Sequence, residues 1–396
     1  MTSPTESPEV LPKPDEAAQA HSQQLSKVIC AEIEHKGGAI SFARFMERAL
    51  YAPGLGYYSA GARKFGEQGD FITAPELSDL FSHCVARQCR QVLAIIDNPS
   101  IVEFGAGSGR MACAILKELE RLDALPVSYL IVEVSADLRE RQQALIKQQL
   151  PEFIDRVHWL ESLPATFKGV VLANEVLDAL PVRRFHINGN SINEMCVGYE
   201  NDQFVWSAQP ADDDLVKTVN TIQDVLYEKM SDGYTSEVCM VANAWIKSVA
   251  DTLDEGAVLL IDYGYPRHEY YHPQRTDGSL MCYYQHRRHS DPLKLIGLQD
   301  ITAHVDFTSI AEAANQAGLV VAGFTTQACF LLGNGLDEMV ASSDLDNQRA
   351  HLRLMQQVKR LTLPGEMGEL FKVMALTRSV DEPLKGFTLK DYRGRL

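Results

Sequence analysis

The nine residues Ile101-Val102-Glu103-Phe104-Gly105-Ala106-Gly107-Ser108-Gly109 constrain this chain more than any other segment. They read E-x-G-x-G-x-G, with an Asn98-Pro99 turn before them and an amphipathic stretch at 110–122 after them. An apolar strand therefore ends in a glycine-rich turn that opens a helix. That arrangement presents backbone N–H groups and the positive end of a helix dipole to a ligand. Glycine supplies the positive φ and the close backbone approach such a turn needs. A dinucleotide motif would carry its third glycine where Arg110 stands, packing helix against strand at a pyrophosphate site. Its absence, with Glu103 two residues before the first glycine, points to a ligand that carries a cation and no phosphate. S-adenosylmethionine fits, with an ammonium for Glu103 and a carboxylate for the helix N-terminus. The expected cofactor contacts here are Glu103, Gly105, Gly107, Ser108 and Gly109.

A second apolar run, Tyr129-Leu130-Ile131-Val132-Glu133-Val134, also ends in a carboxylate. In a βαβ unit an acidic residue at the tip of the second strand accepts both ribose hydroxyls. Glu133 takes that place, and a helix is expected directly after it at 136–149. Further strands are expected at 157–160, 170–173, 257–263, 319–325 and 371–376, the last antiparallel if the usual methyltransferase topology holds. Strands alternating with helices give an α/β fold, a doubly wound, Rossmann-like sheet of seven strands. The alternation divides the chain into five parts. Positions 1–20 read as a disordered tail rich in Pro, Ser, Thr and Glu. Positions 21–77 hold one or two helices around a Gly37-Gly38 break, then a long loop with Gly56-Tyr57-Tyr58 and Gly69-Asp70-Phe71. Ser78 caps a helix that opens the cofactor-binding half, 78–185. An inserted lid covering the carboxyl ends of the strands is expected at 186–245, and the rest of the core at 246–396.

Charge narrows the partners. A net charge of −16 and a pI near 5.1 disfavour a nucleic-acid substrate, because such binders carry basic patches. A protein substrate with a basic segment suits an acidic enzyme better. No apolar run approaches the roughly 20 residues that span a bilayer. The eight cysteines are scattered with no C-x-x-C pair, and read as reduced, buried small hydrophobes. The first arginine is Arg44, which argues against an arginine-rich mitochondrial presequence, and a bacterial-type cytoplasmic protein is expected.

The run Val170-Val171-Leu172-Ala173-Asn174-Glu175 is a buried strand that delivers polar residues at its end, with Asp178 and Pro181 just after. In a methyltransferase the fourth strand points at the transferred methyl group, so Asn174, Glu175 and Asp178 are the expected holders of a nucleophilic nitrogen, with Asn174 also an expected cofactor contact. Two carboxylates can grip a guanidinium bidentately and take up charge as it reacts. The competing reading is that Glu175 and Asp178 only cap the next helix.

Six motifs in order resemble the MidA family over roughly 25–378. They are Gly69-Asp70-Phe71-Ile72-Thr73-Ala74-Pro75-Glu76, the Glu103–Gly109 run, and Ala173-Asn174-Glu175 with Asp178-Ala179-Leu180-Pro181. Next come Ile261-Asp262-Tyr263-Gly264, then Asp300-Ile301-Thr302-Ala303-His304-Val305-Asp306-Phe307, and finally Glu366-Met367-Gly368-Glu369-Leu370-Phe371. The resemblance implies a class I S-adenosylmethionine-dependent methyltransferase. It also implies protein arginine methylation in respiratory complex I assembly, the role of the family's mitochondrial members. The T-H-W and paired-glutamate-loop signatures of better-known arginine methyltransferases are absent, so a guanidinium grip must be built differently here. Two other readings stand beside it: a non-catalytic assembly module on the same fold, and an enzyme acting on RNA or a small molecule.

Five further residues are expected near the chemistry. His304 and Asp306, two apart, would face one side of a strand and relay a proton or shape the substrate mouth. Asp262 would line the same cleft, and Asp70 with Glu76 would close over the cofactor as a lid. No metal is expected. His268-Glu269-Tyr270-Tyr271-His272 matches H-E-x-x-H, but zinc ligation needs a helix with both histidines on one face. Pro266 and Pro273 bracket this segment, which is expected to be a loop.

Overall fold

The computed structural model describes residues 11–59, 73–342 and 348–396. Its central sheet contains β1 (Ser100–Phe104), β2 (Tyr129–Val132), β3 (Val157–Leu160), β4 (Phe167–Asn174), β5 (Leu253–Tyr265), β6 (Val320–Thr326) and β7 (Phe371–Arg378). Their spatial order is β6-β7-β5-β4-β1-β2-β3. Strands β5, β4, β1, β2 and β3 run parallel, and β7 is antiparallel to both β5 and β6. All seven strands read from the sequence are present, the last antiparallel as expected.

The near-continuous apolar character of β4 follows from burial on both faces. Val170 and Leu172 enter one core with the helices Asp79–Leu93 and Arg110–Arg121. Val171 and Ala173 enter the other with Met240–Thr252 and Phe307–Gln316. That is the period-two alternation of a strand. A consequence is that only the strand's last residues escape the cores, and β4, β1 and β2 all end at one edge. Functional side chains in this fold collect there.

Helix boundaries follow local chemistry. Ser78 Oγ accepts from the Leu80 N–H and Ser135 Oγ from the Leu138 N–H, capping Asp79–Leu93 and Ala136–Gln149. The Gly37-Gly38 break has positive φ at both residues, which ends Glu16–His35 and admits a short strand, Ala39–Ser41, before Phe42–Tyr51.

Several expectations are corrected. The 1–20 tail is too long, because Asp15 caps the helix Glu16–His35 through the Ala18 N–H and so 16–20 are helical. The insertion is a second sheet formed by Ser191–Glu200, Arg183–Asn188, Thr235–Val238 and Gln203–Pro210, with Ala39–Ser41 added from the N-terminal part. One side of it packs on Phe185, Leu215, Val219 and Ile222 and the other, through Val197, Phe204 and Trp206, on the helices Glu16–His35 and Phe42–Tyr51, so its apolar faces are spent away from the strand ends. The H-E-x-x-H segment is a one-turn helix, Arg267–Tyr270, with His272 beyond it. Its two histidines have separate partners: His268 stacks on Tyr227 at 4.1 Å, while His272 Nδ1 accepts from the Gln274 N–H.

Candidate functional site

A cavity of about 330 Å³ opens at the carboxyl ends of β4, β1 and β2, a size usual for a small-molecule site of about 300–1,000 Å³. Its floor is the glycine turn. Gly105, Gly107 and Gly109 have φ of 60°, 54° and 86°, which explains why side-chain-bearing residues are excluded there. Gly109 stands at the N-cap of Arg110–Arg121 without a side-chain cap, leaving that helix end open toward the turn.

Glu103 is 1% exposed and its Oε2 accepts from the Tyr129 hydroxyl at 2.6 Å. Burial pushes its pKa up to about 7, the Tyr129 hydrogen bond opposing and Glu133 adding to the rise. Glu133 is also buried, and burial raises its pKa. Its Oε1 accepts from the Ser135 N–H at 2.9 Å and its Oε2 from Gln142 Nε2 at 3.2 Å. Gln142 also donates to the Gly107 carbonyl and accepts from the Trp159 indole, each at 2.9 Å. Ala136–Gln149 is thereby locked to the glycine turn.

Ser108 donates its hydroxyl to Glu76. Glu76 therefore ties the segment after residue 72 to the glycine turn, with Arg110 beside it. Asp70 lies outside the described residues.

The far end of the cavity is acidic. Asn174 ends β4, and Glu175 follows with φ 53°, a left-handed conformation uncommon for a residue with a Cβ. Its N–H is held by the Ile261 carbonyl at 2.9 Å. Its side chain accepts from Asn174 Nδ2 at 3.2 Å and from the Tyr263 hydroxyl at 3.1 Å. Burial, then the charge of Asp262, push the Glu175 pKa up to about 8. Asp178 is 3% exposed, and burial followed by Asp262, Asp300 and Glu175 holds its pKa well above the usual range. Asp178 Oδ1 and Asn174 Oδ1 are buried without a hydrogen-bond partner. Such atoms are costly unless a ligand completes them.

Sequence reasoning missed three contributors. Asp300 lines the cavity and accepts from the Tyr58 hydroxyl at 2.8 Å. Tyr51 stacks on Tyr58 at 5.5 Å and donates to the Ala179 carbonyl. Their signal was present, because Tyr58 belongs to the aromatic loop and Asp300 to a family motif, but only the fold brings them together. The cavity walls thus include Tyr51, Tyr58, Thr73, Pro75, Glu76 and Asp300, and among the described residues of the expected 186–245 lid only Trp245, on the helix Met240–Thr252, lines them. The described lining residues include no Lys, Arg or His.

Three expected residues lie elsewhere. Asp262 is not in the cavity wall: it accepts from the N–H groups of Leu177, Asp178 and Tyr263, so it positions the Asn174–Asp178 turn from beneath. Asp306 caps Phe307–Gln316 through the Thr308 and Ser309 N–H groups and pairs with Arg267. His304 contacts Arg275 instead. The short strand Val305–Asp306 begins after His304, so the two residues do not share a strand face.

Fold and site together define the class: a class I S-adenosylmethionine-dependent methyltransferase. Residues 84–325 match the family model Methyltransf_28, of S-adenosyl-L-methionine-dependent methyltransferases, and the chain belongs to that family. A Burkholderia thailandensis protein crystallised with S-adenosyl-homocysteine is 42% identical with a TM-score of 0.93, over 98% of this chain and 100% of that one. The zebrafish (Danio rerio) protein arginine methyltransferase NDUFAF7, mitochondrial, is 27% identical over 93% of this chain and 94% of its own. The human protein of that name is 28% identical over 86% and 80%. The MidA-type motifs are thereby upheld, and so is the cofactor. The cytoplasmic expectation is overturned, because these curated relatives are named mitochondrial. Arginine content near the amino terminus bears on an import signal and does not report where the folded enzyme works.

Proposed function

We propose that the acceptor is an arginine side chain of a protein substrate, a respiratory complex I-type subunit by family resemblance. The observation that carries this reading is the acidic end of the cavity. Glu175, Asp178 and Asp300 crowd there with no cation among the described lining residues, and Asp178 Oδ1 lacks a partner. Their mutual repulsion is relieved by a bound cation, and a planar guanidinium matches carboxylates bidentately. The names of the curated relatives agree with it.

The bound cofactor supplies a methyl group activated on sulfonium sulfur. Glu175 and Asp178 orient the guanidinium and hold its charge on the nitrogens that do not react, which leaves the attacking nitrogen nucleophilic. The new N–CH₃ bond forms as the S–CH₃ bond breaks, its electron pair remaining on sulfur. The nitrogen's proton passes to a carboxylate whose raised pKa suits it as a base.

We assign the ribose to Glu133 and the methionyl end to Glu103 and the glycine turn. Glu133→Ala is expected to weaken S-adenosylhomocysteine binding by about 1.5–3 kcal/mol, the scale of a hydrogen bond to an ionised group. Calorimetry reads this, and unchanged affinity removes Glu133 from the site.

The acceptor is tested with labelled cofactor and a lysate of a strain lacking the gene, followed by mass spectrometry. Label is expected on arginine of one or few proteins, surviving nuclease treatment and dialysis. Label lost on nuclease treatment or dialysis would replace protein by RNA or a small molecule. No label at all would leave a binding module.

A further inference from the structure

We infer that the substrate segment carries an acidic side chain close to the acceptor arginine, and that Arg275, His304 and Lys372 receive its carboxylate. This rests on the arginine reading above. Tyr263 and Tyr265 are two residues apart at the end of β5, so their rings leave one face of the strand about 6.6 Å apart. Tyr263 belongs to the acidic end of the cavity through its bond to Glu175. Tyr265 belongs to a cationic group. The Arg275 guanidinium lies 4.4 Å from its ring centroid and the Lys372 ammonium 5.4 Å. His304 joins the two, edge-on to Tyr263 at 6.3 Å and to Tyr265 at 5.2 Å.

The polar atoms of this cluster are arranged for an anion. Arg275 Nη1 lies 3.4 Å from His304 Nδ1, and a guanidinium only donates, so the imidazole hydrogen sits on Nε2. Burial, then Arg275 and Lys372, press the His304 pKa down to about 4, which keeps that ring neutral and its Nε2 a donor. Among the described residues, neither Arg275 nor Lys372 has a carboxylate within ion-pair distance. Lys372 rests on the Glu369 and Leu370 carbonyls. Glu369 and Glu269 act on it only from further away, and Glu269 is bound to Arg395. In a chain of net charge −16, two cations without carboxylate partners beside a neutral donor form a receptor for a planar anion.

The cofactor's own carboxylate does not reach this cluster, because none of the three residues lines the cofactor cavity. A substrate does reach it. An extended chain advances about 3.3 Å per residue, so a carboxylate within about two residues of the arginine spans the step from Tyr263 to Tyr265. A positive subsite beside an acidic one thus selects a segment of mixed charge over a uniformly basic one.

The test uses acetylated, amidated peptides with one arginine and a Glu at each of the two positions on either side, with Gln peptides as partners. Binding to the full-length enzyme loaded with S-adenosylhomocysteine is measured by fluorescence anisotropy, and methylation by mass spectrometry. At one position at least, Glu should bind about 10-fold tighter than Gln, the scale of a charge-assisted hydrogen bond. Arg275→Ala should abolish that preference while leaving the Gln peptide and the cofactor affinity unchanged. Unchanged cofactor affinity also reports that the variant folds, and Lys372→Met serves as a second variant should Arg275→Ala fail this check. Equal binding of Glu and Gln at every position, with both methylated, overturns the carboxylate site and leaves the arginine reading standing. No binding and no methylation of any arginine peptide overturns both.

Discussion

Replacing Glu175 by Gln should lower methyl transfer by about 10²–10⁴ while leaving S-adenosylhomocysteine affinity within about twofold, the usual scale for a lost catalytic group. The substitution keeps the side chain's shape, so Asn174 and Tyr263 can still meet it and the left-handed backbone at 175 is undisturbed. What it removes is the negative charge. A guanidinium stays protonated beyond pH 12, and its reacting nitrogen becomes nucleophilic only when charge is held on the others. In a closed, water-poor site a neighbouring carboxylate does this more strongly than it would in water. Cofactor binding is drawn from the ends of β1 and β2 and is left alone. Single-turnover transfer and calorimetry on the same variant separate the two effects. Near-normal turnover would reduce Glu175 to an anchor for the turn and shift attention to Asp178 and Asp300. Loss of cofactor affinity would move the end of β4 toward the methionyl group.

The core of this fold was legible because its signals are local. β1 and its glycine turn, β2 with Glu133, and β4 with Asn174 are each a continuous run whose periodicity and terminal residue carry the reading. The cap at Ser78 was readable for the same reason, whereas the antiparallel β7 followed from the usual methyltransferase topology. What escaped depends on distant segments meeting. Ala39–Ser41 joins a sheet with a partner strand more than a hundred residues away, which no local pattern announces. Asp300 becomes part of the site only because Tyr58 reaches it across the fold. Asp262 was misread because a carboxylate at a strand end looks the same whether it faces a ligand or collects three backbone N–H groups. His304 and Asp306 were joined by a spacing argument that needs both residues on one strand, and the strand starts one residue too late.

Acceptor methylation should also fall steeply on acidification, with kcat/KM rising roughly tenfold per pH unit from pH 6 and levelling near pH 8. Burial and the charge of Asp262 push the Glu175 pKa up to about 8, so below that pH the free site holds a proton where the guanidinium needs a charge. kcat/KM reports the free enzyme and therefore follows this ionisation. Asp178 is raised as well, and if both protons must leave, the slope approaches two decades per unit. Once the guanidinium is bound it offsets the repulsion among the carboxylates, so kcat should depend on pH more weakly, with a lower midpoint. Stability carries the opposite sign. The unfolded glutamate has a pKa near 4.3, so between about pH 4.3 and 8 the native state binds the extra proton. The free enzyme therefore loses stability as pH rises through that window. A bound cation should return part of that loss, so the melting temperature should respond to acceptor peptide more at pH 8.5 than at pH 6. Glu175→Gln should reduce both dependences together, because one group causes both. A flat kcat/KM from pH 6 to 9 in the wild-type enzyme would separate Glu175 from the reacting guanidinium, whatever its effect on turnover.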